Sequence, residues 1–281
     1  MCSILKYKSC VGRNFDYEVS FDEKVMVIER GMYNNLYKVM GMATGFVQNY
    51  PLLYDGINEY GLCVGGLAFE DNAHYTKMVK DKVNIPAFDF IFQILGKYKS
   101  VEEVRKVLKN VNISDTQYSP EFPNSDLHWF ICDINDSIIV EQTEKGLEIY
   151  DGDIMTNNPP YPQQLQMNKI SLNVNKDYPK PPKAYKTRGG ETYGLLGDYT
   201  SMTRFTRLTY FKEKMIKSSN PFNDVISTFH LLSSVEQAYG ATPVDDKFEY
   251  TIYSVVYDMN KKSMYIKSYD GCNVKTRCLN E

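Results

Sequence analysis

Between residues 129 and 150 the chain lays down three short β-prone runs separated by two tight turns, and this stretch constrains the fold more than any other. Residues 129–132, 138–142 and 147–150 are rich in β-branched and aromatic side chains. The segments between them, Asp133-Ile134-Asn135-Asp136 and Glu144-Lys145-Gly146, are made of turn formers. Connections this short join antiparallel neighbours, because a parallel partner needs a crossover of a dozen or more residues. The middle of the sequence is therefore expected to form an antiparallel sheet.

Residues 2–8 and 25–30 read as further strands, and the glycine-interrupted apolar run 61–69 suits a buried strand with close backbone approach. Pro86 fits the first turn of a helix that carries Phe88, Ile91, Phe92 and Leu95 and ends at Gly96. Ser100 and Glu103 form a capping box for a second helix with Val104, Val107, Leu108 and Val111 on one face. Helical periodicity returns at Phe205, Leu208 and Phe211 and over 223–232, and residues 248–257 and 263–269 form a closing hairpin across Met259-Asn260-Lys261-Lys262. Residues 173–194, with Pro179, Pro181, Pro182 and Gly189-Gly190, read as a long loop, either a lid or binding rim or a solvated connector. Strands at the start, middle and end with helices between them give an α+β chain with a mainly antiparallel sheet, read as a single domain over residues 1–281.

The net charge of −3 favours neither nucleic acid nor an anionic membrane as partner. The longest apolar stretch, 85–95, is too short to span a bilayer, so no integral membrane segment is expected. Lys6, Tyr7 and Lys8 come too early for a secretory apolar core, so the expected location is cytoplasmic and the six cysteines read as reduced thiols. Cys272 and Cys278 lack zinc spacing, and His74, His128 and His230 form no ligand pair, so no metal site is expected.

Met1-Cys2 makes Cys2 the first residue once the initiator methionine is removed. Thiol and α-amine then belong to one residue, with ordinary pKa values of about 8.5 and about 7.7–8.0, nearly matched for proton exchange near neutral pH. Downstream, Arg13 and Asp16 lie within Gly12-Arg13-Asn14-Phe15-Asp16-Tyr17, Asn157 within Thr156-Asn157-Asn158-Pro159, and Arg204 within the run 197–205 that leads into a helix. Taken singly, these read as a salt bridge in a turn, a turn former before proline, and the neighbour of a helix cap.

Taken together and in order, these motifs resemble the choloylglycine hydrolases, a branch of the N-terminal nucleophile hydrolases that includes bile salt hydrolases and penicillin V acylases. Asn58-Glu59-Tyr60-Gly61-Leu62, Leu127-His128-Trp129 and Tyr250-Thr251-Ile252-Tyr253-Ser254 extend the resemblance over nearly the whole chain. It implies a four-layer αββα sandwich, two antiparallel sheets between helical layers. It also implies that Cys2 is the nucleophile, that its own amine takes the thiol proton, and that Arg13 stands beside the sulfur. Asp16 is then expected to hold the amine, Asn157 to donate to the oxyanion, and Arg204 to complete the polar network. No cofactor is required.

At Ala68 the chain departs from its relatives, where bile salt hydrolases usually carry asparagine and penicillin V acylases tend to carry tyrosine. Ala68 can contribute its backbone N–H to the oxyanion but no side chain. The expected substrate is a small-molecule amide, foremost a glycine or taurine conjugate of a bile salt, and Val235-Glu236-Gln237 agrees with that choice. Penicillin V, or a fatty acyl amide such as an acyl-homoserine lactone, is the alternative, and a non-catalytic binder of amphipathic ligands ranks below both. The end of the chain soon after Cys278 and the compact 173–194 segment make the family's usual tetramer less secure here, and leave homo-oligomerisation open.

Overall fold

The turns of the central region are built by the residues that the sequence singles out. Asp133 Oδ1 accepts from the backbone N–H groups of Asn135 (2.8 Å) and Asp136 (2.9 Å), and Gly146 supplies the left-handed φ of 103° that an L side chain rarely adopts. The structure, a computed structural model, describes residues 1–47, 49–176, 192, 194–218 and 220–280.

In chain order the elements are β1 (Cys2–Tyr7), β2 (Cys10–Tyr17), β3 (Lys24–Ile28), β4 (Val39–Ala43), β5 (Leu53–Asn58), β6 (Cys63–Ala68), β7 (Val83–Pro86), α1 (Phe90–Lys97), α2 (Val101–Leu108), β8 (Val111–Ser114), β9 (Leu127–Cys132), β10 (Ser137–Thr143), β11 (Gly146–Asp151), β12 (Ile154–Met155), α3 (Tyr161–Lys176), α4 (Ser201–Lys217), α5 (Asp224–Ser233), β13 (Thr242–Val244), β14 (Lys247–Asp258), β15 (Ser263–Ser268) and β16 (Lys275–Cys278). One sheet runs β12-β1-β2-β14-β15-β16 with β13 beside β14, and the other runs β11-β10-β9-β6-β5-β4-β3. All pairings within both are antiparallel, whereas β7 and β8 form a separate parallel pair.

Alternation along the strands sorts side chains into layers. Phe130 and Cys132 of β9 and Ile139 of β10 join Ile4, Met40, Ile57 and Leu67 in a core that also takes in Phe205 and Leu208 of α4 and Leu231 and Leu232 of α5. Their neighbours Trp129, Ile131, Ile138 and Val140 point the other way, against Phe90, Ile94 and Leu95 of α1 and Val104 of α2. The order is thus helices, sheet, sheet, helices, the αββα sandwich. Residues of β9 and β10 are buried on both faces, which explains why these strands read as apolar runs rather than as alternating patterns.

Several local expectations shift by a turn. Pro86 closes β7 and precedes a 3₁₀ turn, Ala87–Asp89, so α1 begins only at Phe90. Gly96 lies within the last turn of α1 rather than ending it, and its carbonyl accepts from the N–H groups of Leu36 (2.8 Å) and Tyr37 (3.1 Å). Ser100 caps α2 by accepting from Glu103 N–H at 3.3 Å, but the Glu103 carboxylate reaches back to Lys99 N–H rather than to Ser100. Val111 starts β8 instead of extending α2. The first four residues of the expected 173–194 loop belong to α3, and most of the remainder lies outside the described residues. No apolar stripe announces α3: among its described side chains the buried positions are Tyr161, Gln164 and Asn168, while Leu165, Met167 and Ile170 are exposed.

Candidate active site

The β1–β2 hairpin sets the first contacts. Its register places Cys2 opposite Phe15 and Ile4 opposite Arg13, so Cys2 and Arg13 project into the space between the sheets. Both are buried. Arg13 Nη2 donates to Gly66 O (2.7 Å) and lies 3.6 Å from Cys2 Sγ. Its Nη1 donates to Tyr54 O and to Asp55 Oδ2, each at 2.6 Å. Asp55 also accepts from Tyr253 Oη (2.7 Å) and from Tyr257 Oη. Burial opposes the charge on Arg13, but Tyr253, Cys2 and Asp55 together outweigh it and hold the guanidinium above its ordinary pKa. Burial, reinforced by Asp55, pushes both tyrosines well above their ordinary range, so they remain proton donors to that carboxylate.

Arg204 reaches the same point from α4, whose N-cap is Thr200. Its Nε donates to Tyr199 O (2.9 Å), its Nη1 to Ser3 Oγ (2.6 Å) and to Cys2 O, and its Nη2 to Asn157 Oδ1 (2.8 Å). Burial lowers the Arg204 pKa from its ordinary value, opposed by Asp16 and Cys2. Asn157, just beyond β12, accepts from Cys2 N at 2.7 Å through Oδ1 and donates from Nδ2 to Ala68 O at 2.9 Å. One of its two amide hydrogens is thereby committed to the carbonyl at the end of β6. The Asn157 carbonyl is in turn gripped by the Gln164 amide, which also donates to Pro159 O at 2.7 Å.

Asp16 lies on the opposite face of β2 from Arg13, as strand alternation requires. Its carboxylate accepts from Thr251 Oγ1 (2.6 Å) and Gln237 Nε2 (3.1 Å). Burial raises its pKa, against the opposing pull of Arg204 and the chain terminus. The contact of Asp16 with the N-terminus is made by its main chain: Asp16 O accepts from the Met1 amine at 2.9 Å and faces Cys2 Sγ at 3.9 Å. The Met1 amine also pairs with the carboxylate of Glu249, and burial lowers its pKa.

Cys2, Arg13, Asn157, Arg204 and Ala68 thus converge, and Asp16 joins them through its backbone. The sequence does not indicate Asp55, Tyr257, Ser3 or Glu249 as site residues, and Tyr253 stands there only within a motif, without a role. Asp55 left a signal, since an acidic residue sits in mid-strand between Tyr54 and Gly56 of Leu53–Asn58. His128 is accounted for structurally: it stacks on Phe69 with centroids 4.4 Å apart and pairs with Glu141 at 3.2 Å. Glu141 also accepts from the first N–H of α3, at Tyr161. Among the described residues no group of His, Cys, Asp and Glu could hold a metal ion, no helix is long and apolar enough to cross a membrane, and the cysteines are unpaired.

A sulfur beside a fixed cation, with its own main-chain nitrogen on an amide oxygen, is suited to nucleophilic acyl transfer. A family model described as linear amide C–N hydrolases, choloylglycine hydrolase family, matches residues 2–281. A bile salt hydrolase/transferase of Lactiplantibacillus plantarum is 38% identical over 301 residues, spanning 100% of this chain and 93% of that protein. A bile salt hydrolase/transferase of Clostridium perfringens is 34% identical over 291 residues, spanning 96% and 88%. A crystal structure of a mutant conjugated bile acid hydrolase from Clostridium perfringens superposes with a TM-score of 0.90 at 32% identity, covering 100% of this chain and 93% of that one. The penicillin V acylase of Agrobacterium tumefaciens, at 22% identity and a TM-score of 0.80 over 100% of this chain and 87% of that one, shares the fold. On this geometry and these matches, the chain belongs to the choloylglycine hydrolase family of linear amide C–N hydrolases.

Proposed function

We propose that the protein hydrolyses the amide bond of conjugated bile salts, releasing glycine or taurine, with Cys2 as nucleophile after removal of Met1. The observation that carries this reading is the two-ended setting of Cys2, with Sγ 3.6 Å from Arg13 Nη2 and N 2.7 Å from Asn157 Oδ1. The names of the bile salt hydrolase/transferase relatives support the substrate class. The unpaired cysteines support a reducing, cytoplasmic setting.

With Met1 gone, the Cys2 nitrogen becomes an α-amine. It accepts the thiol proton as sulfur attacks the amide carbonyl, and Arg13 complements the negative charge left on sulfur. The second Nδ2 hydrogen of Asn157 is free of the Ala68 carbonyl and serves the tetrahedral oxyanion. Collapse breaks the C–N bond, and the α-ammonium gives its proton to the departing amine. Water, deprotonated by the same α-amine, then attacks the thioester, and the carboxylic acid leaves with the Cys2 thiol restored. Arg204 fixes this arrangement by holding Cys2 O, Ser3 Oγ and Asn157 Oδ1 at once.

Ala68 supplies no side chain at the rim, which keeps penicillin V and fatty acyl amides in the comparison. The test is intact mass to establish loss of Met1, followed by a panel of glycine and taurine bile conjugates, penicillin V and an acyl-homoserine lactone. Cleavage of the bile conjugates in preference to the others is expected. Preferential cleavage of penicillin V or the lactone would move the substrate class, and a Cys2→Ala protein as active as the wild type would remove the nucleophile assignment.

A further inference from the structure

Glu249 is a buried carboxylate on β14, two residues before the Thr251 that holds Asp16. Its Oε1 has no hydrogen-bond partner among the described side chains and waits on one cation, the Met1 amine. That amine is also the nitrogen that processing removes. Three covalent bonds separate it from the Cys2 nitrogen, a span of at most about 3.7 Å by standard backbone dimensions. When Met1 leaves, Glu249 therefore loses its counter-ion and finds a new terminal nitrogen one residue away. A buried carboxylate without a cation is costly and either recruits one or takes up a proton.

We infer that Glu249 is a positioning residue for the Cys2 α-amine: after Met1 is removed, its carboxylate faces the new terminus, favours the ammonium form, and so helps draw the thiol proton from sulfur to nitrogen. This rests on the N-terminal-nucleophile reading above. Opposite charges then flank the two ends of one residue, Arg13 at the sulfur and Glu249 at the nitrogen. The other charged groups around that amine are Asp16 on β2, Glu18 just after it, and Arg204 on α4. The Asp16 carboxylate is already occupied by Thr251 and Gln237, Glu18 is only partly buried, and Arg204 opposes an ammonium, so Glu249 is the buried carboxylate with a free oxygen for this task.

The amine is read directly, without turnover. The Cys2→Ala protein is prepared alone and combined with Glu249→Gln or Glu249→Asp, and intact mass establishes that Met1 is absent. The α-amine is acetylated with an N-hydroxysuccinimidyl ester from about pH 5 to about pH 9, bracketing the ordinary amine value, and the N-terminal peptide is quantified. Glu249→Gln is expected to lower the pH of half-reactivity by about one unit, as loss of an adjacent opposite charge does, with Glu249→Asp between it and the Cys2→Ala parent. In the Cys2 proteins the acid limb of kcat/KM moves in the same direction. An unchanged half-reactive pH in Glu249→Gln overturns the inference, and so does retention of Met1. If Glu249→Gln fails to fold, the Glu249→Asp protein decides in the same way. Failure of the substrate panel with a Glu249-dependent amine sinks the hydrolase reading and leaves this inference standing.

Discussion

Arg13 touches the Cys2 sulfur with one arm of its guanidinium, Nη2 at 3.6 Å, while the other arm, Nη1, is anchored 2.6 Å from Asp55 on the facing sheet. The hairpin puts Arg13 near Cys2, but the second sheet aims it. Chemistry at Cys2 therefore depends on packing between the two sheets.

Replacing the sulfur tests the centre of the scheme. Cys2→Ala is expected to lower kcat for the preferred amide by at least about 10³-fold, the scale of losing a nucleophile. Steady-state kinetics alongside circular dichroism separates this from unfolding, because the small side chain at this position leaves the strand pairing intact.

Asn157→Ala removes an oxyanion donor together with the acceptor for Cys2 N and Arg204 Nη2. A fall of about 10²–10³-fold in kcat is expected, with a smaller change in KM. A KM-dominated effect would assign Asn157 to substrate binding instead.

Asp55→Ala leaves Arg13 as an uncompensated charge between the sheets, since both partners of this pair are buried. A loss of about 3–5 kcal/mol of stability is expected in urea unfolding. Tyr257→Phe removes one donor to the same carboxylate and is expected to cost about 1.5–3 kcal/mol, as for other hydrogen bonds to charged groups.

Away from the site, Asp89 accepts from Tyr50 Oη and Gln93 Nε2, each at 2.7 Å, and burial pushes its carboxyl up to about 6. A carboxyl raised on folding contributes stability that is present in full below its unfolded value near 4 and is lost as pH rises through about 6. Wild-type protein is expected to lose about 2–3 kcal/mol of stability over this window relative to Asp89→Asn. Parallel urea titrations at about pH 4 and about pH 7 check it, and equal differences at both pH values would contradict it.

Much of the architecture was legible because it depends on neighbours in sequence. Tight turns such as 133–136, the Ser100 cap and the β14–β15 hairpin each carry their instruction within a few residues, and they fold as expected. The misses follow from the same logic. Helix α3 buries Gln164 and Asn168 rather than an apolar stripe, so its periodicity is hidden, and Gly96 stays helical because its value lies in close approach: a Cβ there would stand 3.0 Å from Asn35 Cβ.

The sequence by itself determined which residue types were available to the chemistry and put Cys2 on a first strand, whereas Arg13 and Asp16 read only as a turn after it; the structure sets them on β2, paired with β1 in a hairpin. Only the tertiary structure decided which distant groups meet them. Asn157 is 155 residues from the Cys2 nitrogen it receives, and Tyr253 is 198 residues from Asp55. It was also the fold that turned the Asp16 carboxylate toward Thr251 and Gln237 and left its carbonyl to face the terminus. Local rules set the face on which a side chain lies, but its partner depends on how separate sheets and helices stack, and hydrophobic packing places those layers without regard to separation along the chain.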